Sequence, residues 1–315
     1  MQKVLVTGAN GFVGSHLARH LLTAGYSVVG SVRTRPVATY QKQGPDLDAN
    51  ADWAPLLKEM DCVVHCAARV HQLSDKATDP LLAYRSINVD GTMQLARQAA
   101  VCGVKRFIFL SSIKVNGEST LPGAPFTEQL SGIPTDPYGL SKYEAEMALL
   151  TLAAEYEMEV VIIRLPLVYG AGVKANFKKM MRLAASGIPL PFGRIQNQRS
   201  LVCLTNLCDF IELTIRHPEA ANEVFLVADG EDVSTPILFS LVAELMGRRC
   251  RLLNVPVGLL KGIVSLLGFG AQLSRLTDSL QLDTSKARKI LGWKPTVSVH
   301  TALAETANAY RIQGE

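Results

Sequence analysis

A tyrosine and a lysine stand four residues apart in the segment TDPYGLSKYEAE, at Tyr138 and Lys142. Asp136 followed by Pro137 is typical of a helix start, with the aspartate as cap and the proline in the first turn. The two side chains then lie one turn apart on one helix face. A phenol with a pKa near ~10 is a poor acid–base catalyst at neutral pH, but a neighbouring ammonium lowers that pKa. The pair therefore predicts proton transfer at a substrate oxygen.

Two serines, Ser111 and Ser112, end the apolar run KRFIFLSS, which predicts a buried strand. Ligands of parallel sheets bind beyond the carboxyl ends of the strands. We expect Ser112 to hydrogen-bond the substrate oxygen that Tyr138 protonates. Together with Lys142, these residues indicate a carbonyl-reducing site.

A glycine-rich turn follows the first predicted strand in KVLVTGANGFVG. Val4 to Val6 form an apolar run, and a helical pattern covers 15–22. Gly8 supplies the backbone angles of the turn, Gly11 lets main-chain N–H groups approach a diphosphate, and Gly14 allows close packing of helix and strand. The positive end of the helix faces the phosphates. This arrangement predicts dinucleotide binding.

The end of the second predicted strand bears on the choice of cofactor. An NAD-preferring enzyme carries Asp or Glu about 20 residues beyond the glycines to accept the ribose hydroxyls. Here Val32 is followed by Arg33, with Arg35 two residues further on. A guanidinium can pair bidentately with a 2′-phosphate, which a carboxylate would repel. We therefore favour NADP(H), with NAD(H) as the alternative in which Arg33 stacks on the adenine or faces solvent.

Strands and helices alternate through the first half of the sequence. Predicted strands cover 27–32, 61–68, 105–112 and 159–165, predicted helices cover 79–100 and 137–156, and a polar loop covers 33–48. Such alternation predicts an α/β fold with a doubly wound parallel sheet of the Rossmann type. Beyond Gly170, prolines punctuate shorter elements and predict a smaller α+β lobe. We expect an NAD(P)-binding domain at 1–170 and a substrate lobe at 171–315, with an interleaved boundary.

The composition of the chain limits the kinds of partner that we expect it to bind. The 315 residues are 48% hydrophobic and carry a net charge of +4 without a basic block, so we expect a folded protein with no nucleic-acid partner. Six cysteines without a CxxC pair, and no leader pattern, predict a cytoplasmic protein with free thiols and no metal site. The apolar stretch 252–276 is interrupted by polar residues, so it falls short of the ~18 apolar residues of a membrane span.

Several motifs together resemble the extended short-chain dehydrogenase/reductase family of nucleotide-sugar epimerases, dehydratases and reductases. They are TGANGFVG, DL at Asp46 and Leu47, HCAA from His65, NVDGT from Asn88, SS at Ser111 and Ser112, YGLSK, RLPLVYG from Arg164, and DTSKARKILGWKP. The resemblance covers nearly the whole chain. It implies a homodimer that pairs through the helices at 79–100 and 137–156 as a four-helix bundle.

The resemblance also implies the site residues. The catalytic residues that it implies are Ser112, Tyr138 and Lys142. The cofactor-binding residues are Gly8, Gly11, Phe12, Val13, Gly14, Arg33, Asp46, Leu47, Ala67, Asn88, Ser111, Tyr138, Lys142 and Pro166. The substrate-binding residues are Lys114, Asn176, Phe177, Phe192, Arg199, Arg275 and Asp278. Among these, Phe192 would pack on uracil and Arg199 would bind the diphosphate, as an aromatic face and a guanidinium fork can.

Two segments depart from the epimerase pattern. Leu167 replaces an expected asparagine, and SIKVNG, with Lys114 and Asn116, replaces the commoner S-x-T/S-VYG. The segments SIKVNG and VKANF are most similar to bacterial polysaccharide-cluster enzymes that reduce a UDP-linked 4-keto-6-deoxy sugar at C4. This resemblance implies our first hypothesis, NADPH reduction of a UDP-2-acetamido-2,6-dideoxy-4-hexulose to a UDP-N-acetyl-6-deoxyhexosamine in surface polysaccharide biosynthesis. The alternatives are a UDP-hexose(amine) 4-epimerase with retained NAD, an NADPH reductase of flavonoid-like or other ketones, and a cofactor-sensing protein without turnover.

Overall fold

A seven-stranded, all-parallel sheet forms the centre of the molecule, with the strand order β3-β2-β1-β4-β5-β6-β9. The structure is a computed structural model that describes residues 1–70, 78–266 and 270–312. The strands of the sheet are β1 Lys3–Thr7, β2 Ser27–Val32, β3 Gln41–Gln43, β4 Cys62–His65, β5 Arg106–Ser112, β6 Glu159–Leu165 and β9 Val224–Leu226. β7 Leu167–Tyr169 and β8 Leu201–Cys203 pair separately, also in parallel. The predicted doubly wound parallel sheet is confirmed.

Helices connect the strands and build the second lobe. They are α1 Phe12–Thr23, α2 Ala54–Leu57, α3 Pro80–Arg85, α4 Thr92–Val101, α5 Pro137–Glu155, α6 Ala175–Ala185, α7 Leu204–Arg216, α8 Thr235–Leu245, α9 Val257–Leu266, α10 Gly270–Thr277, α11 Ser285–Leu291 and α12 Val299–Ile312. A π-helical turn, Ser86–Gly91, joins α3 to α4, and 3-10 turns cover Ile113–Val115 and Pro218–Ala220. Within the described ranges, none of the helices has the length and apolar content needed to cross a bilayer.

Alternate residues of each strand pack into two apolar layers, one on each face of the sheet, because successive side chains of a strand point to opposite faces. Val4 and Val6 pack with α1, α7 and α11, whereas Leu5 packs with α4 and α5. The first layer takes in Phe225 and Trp293 from the second half of the chain. The chain therefore returns to the sheet after building part of the second lobe.

A third apolar cluster forms the core of the second lobe. It joins α6, α8 and α12, and its buried rings include Tyr169, Phe177, Phe192 and Phe239. β7 and β8 lie between this cluster and the sheet, since Val202 belongs to the layer on α1 while its neighbour Leu201 belongs to the lobe. The lobe is thus attached beside the carboxyl end of β6.

Two predictions for the first half are wrong in detail. The segment 33–48, predicted as a polar loop, contains the edge strand β3, which pairs with β2 from Gly30 to Val32. Its sequence, QKQ, has no apolar alternation because an edge strand need not be buried. The helix predicted at 79–100 is interrupted by the π-helical turn, where a Cβ on Gly91 would lie 2.7 Å from the Leu47 carbonyl carbon.

Candidate active site

The start of α5 places Tyr138 against the end of β5. Asp136 caps the helix, its carboxylate accepting a hydrogen bond from the Gly139 N–H at 2.8 Å. A Cβ on Gly139 would lie 2.7 Å from the Lys114 carbonyl oxygen, so glycine lets the first turn pack directly on the 3-10 turn that follows β5. The Ser112 hydroxyl consequently lies next to the Tyr138 phenol, close enough to affect its pKa. The predicted serine–tyrosine pair is brought together.

The protonation of Tyr138 differs from the sequence expectation. Burial raises the pKa of its phenol to about 12, and the nearby Asp136 charge adds to this, while the Ser112 hydroxyl opposes it. The expectation that Lys142 lowers this pKa is wrong here, because the Lys142 ammonium donates to the Leu110 carbonyl at 2.9 Å instead. Tyr138 is therefore a protonated phenol at neutral pH, the form that donates a proton.

Lys142 lies almost fully buried, one helical turn after Tyr138 on α5. Its ammonium is 4.3 Å from the centroid of the Phe109 ring, in cation–π contact. Burial lowers the pKa of Lys142 to about 8, and the negative charge of Glu146 opposes that decrease. The lysine therefore titrates close to neutral pH.

A buried charged network, which motif reasoning missed, lies behind these residues. Glu146 accepts a 2.5 Å hydrogen bond from Ser111 and pairs with the Arg164 guanidinium at 2.7 Å. Arg164 also donates to the Asn116 side chain at 3.1 Å and to the Glu128 carbonyl at 2.9 Å. The network joins β5, α5 and β6. Its signal in the sequence was the carboxylate one helical turn after Lys142, on the same face.

The glycine turn fits a dinucleotide diphosphate. Gly8 has φ +64°, and a Cβ on Gly14 would lie 2.3 Å from the Gly8 carbonyl oxygen. α1 begins at Phe12 without a side-chain cap, so the first-turn amides of Phe12 and Val13 remain available to an anion. The structure thus provides the backbone cradle that the sequence predicts.

The other predicted cofactor residues surround this cradle at the sheet edge. Arg33 is exposed directly after β2, Asp46 is exposed, and Leu47 packs on Gly91. The Ala67 N–H donates to the Thr7 hydroxyl at 3.1 Å. Buried Pro166 follows β6, at the same end of the sheet as Ser112.

Asn88 is placed differently from its prediction as a cofactor contact. Its side chain is buried and forms two hydrogen bonds with the Arg69 backbone, at 2.9 and 3.0 Å. It also donates to the Ser141 hydroxyl at 3.0 Å, and Ser141 donates to the Tyr138 carbonyl at 2.8 Å. In this structure Asn88 therefore braces the first turn of α5.

Two more side chains, to which the sequence analysis assigns no role, border the site. The Tyr84 ring meets Tyr138 edge-on, with 5.7 Å between centroids. His65 is buried between Thr7, at 2.8 Å, and Thr92, at 3.1 Å. Burial lowers the pKa of His65 to about 3, so it is a neutral structural bridge at ordinary pH.

The predicted substrate residues fall into separate groups. Lys114 lies beside the tyrosine, with its ammonium 3.0 Å from Asp136. Asn176 is exposed near the start of α6, whereas the neighbouring Phe177 ring is buried and stacks on Tyr169 at 5.5 Å. Phe192 is also buried, 5.3 Å from Phe239 in the lobe core.

Arg199, Arg275 and Asp278 come together at the edge of the second lobe. The Arg199 guanidinium donates to the Asp278 carbonyl at 2.9 Å. Burial lowers the pKa of Arg199, against the raising effect of Asp278, and the Arg275 charge lowers it further. Two guanidinium groups thus share one region, as an anion site requires.

The cysteine, histidine and acidic side chains bear on disulfide bonds and metal binding. All six cysteines are free thiols. Across the described ranges, no three His, Cys, Asp or Glu side chains cluster so that they could hold a metal ion.

The chain is similar to known proteins along nearly its whole length. The profile of the NAD dependent epimerase/dehydratase family matches residues 4–228. The chain is 48% identical to a UDP-glucose 4-epimerase of Vibrio cholerae, over 98% of this chain and 95% of that protein. It is 28% identical to a UDP-glucose 4-epimerase of Mycolicibacterium smegmatis, over 99% and 100% of the two chains.

Solved structures extend the similarity to the whole fold. MoeE5 in complex with UDP-glucuronic acid and NAD superposes with a TM-score of 0.79 and 27% identity, covering 99% of each chain. A UDP-glucuronic acid 4-epimerase of Bacillus cereus in complex with NAD gives a TM-score of 0.78 at 23% identity, over 100% of both chains, and supports the fold alone.

Proposed function

Because the chain belongs to the NAD dependent epimerase/dehydratase family, we propose that it is an oxidoreductase acting at C4 of a UDP-linked sugar. The observation that carries the proposal is the contact of Ser112 with Tyr138 at the carboxyl end of β5, on the sheet edge that also holds the glycine cradle. The relatives named UDP-glucose 4-epimerase support the substrate class.

Each residue of the site has a defined task in this proposal. The phenol of Tyr138 donates a proton to the sugar oxygen, or takes it back in the reverse direction. The hydroxyl of Ser112 hydrogen-bonds the same oxygen and orients it. The ammonium of Lys142 hydrogen-bonds the ribose of the nicotinamide cofactor and holds it in place. The nicotinamide cofactor, held by Gly8, the first turn of α1 and neighbouring residues, supplies or accepts the hydride.

For the net reaction we propose reduction of a UDP-4-keto-6-deoxy sugar by NADPH. Exposed Arg33, with no carboxylate at the end of β2, supports a 2′-phosphate on the cofactor. Leu167 stands where epimerases of the family carry asparagine, and the side-chain oxygen of Asn116 accepts a hydrogen bond from Arg164. NAD is the cofactor bound to MoeE5, so NAD(H) is the alternative cofactor for this protein.

Epimerisation at C4 is the second candidate. The 48% identity to the Vibrio cholerae UDP-glucose 4-epimerase favours it, because the similarity extends along nearly both chains. An epimerase removes and returns hydride at the same carbon, so its cofactor is regenerated within each cycle. A reductase consumes one cofactor molecule in each turnover.

That difference separates the candidates experimentally. The purified protein is denatured, any released nicotinamide is identified, and fresh protein is titrated with NADPH and NADH. We expect little bound cofactor, tighter binding of NADPH, and loss of absorbance at the NADPH band with a UDP-4-keto-6-deoxy sugar. Stoichiometric bound NAD, with interconversion of UDP-glucose and UDP-galactose, would establish epimerisation and overturn the reductase.

Substitution of the proton donor tests the site itself. Tyr138→Phe removes the hydroxyl and is expected to lower kcat by about 10²- to 10⁴-fold, with cofactor binding retained. Tyr156→Phe, at the other end of α5 and 40% exposed, is the matched control and should keep full activity. Equal activity of the two variants would rule out the proposed role of Tyr138.

The remaining assignments follow from the same proposal. We propose that Arg199 and Arg275 bind the diphosphate, and that 1–170 and 171–315 hold cofactor and sugar respectively. We also propose a homodimer, supported by exposed apolar residues on the helices expected to pair, Leu82 at 64% and Met147 at 36%. Light scattering of the purified protein tests the dimer, with a monomer as the contradicting result.

A further inference from the structure

A groove lined by arginines lies on the second lobe, where α6, α8 and α12 end. It consists of two adjoining cavities of about 480 and 530 Å³, which share Ala185, Ser186 and Arg248. The guanidinium-bearing residues that line it are Arg182, Arg248, Arg249, Arg251 and Arg311. α6 has 11 residues, so its C-terminal end lies about 16 Å along the helix axis from its start, where Asn176 stands. The groove is therefore separate from the candidate active site.

The backbone that presents these arginines is firmly held. α8 ends in a left-handed Gly247, with φ +69°, whose N–H donates to the Glu244 carbonyl at 2.8 Å. The Arg248 N–H donates to the Ala243 carbonyl at 2.8 Å, which completes a helix-end motif. Beyond it, the Arg251 carbonyl accepts from the Leu190 N–H at 2.8 Å. The arginine run is thus anchored at both ends.

The positive charge exceeds what the helix ends can balance. Each helix C-terminus is equivalent to about half a negative charge, so three ends supply about 1.5, against the four guanidinium groups of Arg248, Arg249, Arg251 and Arg311. No Asp or Glu lines either cavity. Among the described residues, the ion pairs use none of Arg248, Arg249 and Arg251. An anion from outside the described chain would therefore be attracted to the groove.

We propose that this groove is a second site for phosphoryl groups, independent of the proposed reaction. Guanidinium forks bind phosphate oxygens bidentately, and several forks around one cavity suit a ligand with two or three phosphoryl groups. The volume lies in the range of small-ligand sites. The phosphoryl groups belong either to a soluble polyphosphate or to lipid headgroups, for which Ile188 and Leu253, 59% and 51% exposed beside the groove, offer apolar contacts.

The test compares wild type with two triple variants of equal net charge. The groove variant is Arg248→Gln/Arg249→Gln/Arg251→Gln, in which all three substituted side chains are exposed. The control variant replaces three exposed cations elsewhere, Lys58→Gln/Arg288→Gln/Lys289→Gln. Tripolyphosphate is titrated by calorimetry, and vesicles of phosphatidylcholine with and without phosphatidylglycerol are sedimented with each protein.

We expect the groove variant to bind at least one of the two probes tenfold more weakly than wild type and control do. Loss confined to tripolyphosphate identifies a soluble ligand, and loss confined to phosphatidylglycerol vesicles identifies a lipid. The proposal is overturned if wild type binds neither probe, or if the groove variant binds both as the control does. A lower melting temperature with unchanged binding would likewise overturn it, since the arginines would then serve only the helix ends. The kcat of the groove variant should equal that of wild type.

Discussion

Two buried carboxylates lie in different regions of the molecule, and their partners differ in charge. Glu146, on α5 beside the catalytic residues, forms an ion pair with Arg164 at 2.7 Å and accepts from Ser111. Asp229, after β9, accepts only neutral donors among the described residues: the Tyr169 hydroxyl at 2.8 Å, the Cys203 N–H, and the Asn206 amide at 2.7 Å. The first region contains opposite buried charges, and the second contains one buried charge without a cation.

The difference indicates what each region must accomplish. Buried ion pairs rarely add net stability, because the cost of desolvating the two charges offsets their mutual attraction. A gain in stability therefore does not explain the pairing of Glu146 with Arg164. The Glu146 charge raises the pKa of Lys142, against burial that lowers it to about 8. Glu146 therefore helps keep Lys142 protonated. The residues that hydrogen-bond Asp229 have no catalytic role in the proposal. Through them Asp229 joins β7, β8 and α7 by hydrogen bonds alone.

The largest predicted effect is that of Glu146→Gln. It leaves the Arg164 guanidinium buried without a counter-charge, so the free energy of unfolding should fall by about 3 to 5 kcal/mol in urea denaturation. Activity at pH 7 should also decrease, because Lys142 loses the charge that supports its protonation.

Glu144→Gln, two residues away, is the matched control for this variant. Glu144 pairs with Arg85 at the surface, where the Arg85 side chain is 44% exposed. Its loss of stability should be much smaller, because water replaces the missing partner. Equal losses for the two variants would contradict the distinction between buried and exposed charge.

Asp229→Asn should have a smaller effect than Glu146→Gln. Asparagine keeps one carbonyl oxygen but loses the second acceptor, and no buried cation is left without its partner. The expected loss is about 1 to 3 kcal/mol, measured under the same urea conditions. A loss as large as that of Glu146→Gln would show that charge pairing does not separate the two regions.

The pH dependence of stability distinguishes Asp229 further. Burial raises the pKa of this carboxyl above its ordinary value, so the folded state takes up a proton at higher pH than the unfolded state does. The contribution of Asp229 to stability therefore increases as the pH falls through the raised pKa, by at most about 1.4 kcal/mol per pH unit. The stability difference between wild type and Asp229→Asn should widen from pH 7 to pH 4. A constant or narrowing difference would contradict the raised pKa.

Short patterns allowed the first half of the fold to be predicted. The bounds of β2 and β6 match the predicted strands 27–32 and 159–165, and Asp136 caps α5 as its sequence indicates. These features depend on neighbours within one or two turns or strand lengths. The strand β3 was missed because three polar residues at a sheet edge carry no periodic signal.

Contacts between distant segments could not be predicted in the same way. Ser111, Glu146 and Arg164 come from three elements, and only the folded sheet brings them within hydrogen-bond distance. In the second lobe, the predicted ligand contacts Phe177 and Phe192 pack in the apolar core. An aromatic residue in a short irregular segment gives no indication of whether its ring faces a ligand or the core.

Asp278 gives the smallest predicted effect and a direct test of the lobe edge. Its carboxylate pairs with Lys261 at 3.0 Å, with the two side chains 30% and 51% exposed, while its backbone carbonyl accepts from Arg199. Asp278→Asn removes only the exposed ion pair, so stability should change by about 0 to 1 kcal/mol. The backbone carbonyl of residue 278 still holds Arg199 in this variant. The KM for the UDP-sugar should therefore stay within about twofold of the wild-type value, well below the tenfold change that 1.4 kcal/mol of binding free energy would produce. A large rise in KM at unchanged stability would instead place the Asp278 carboxylate in contact with the substrate, and would make this exposed group more important to function than buried Asp229.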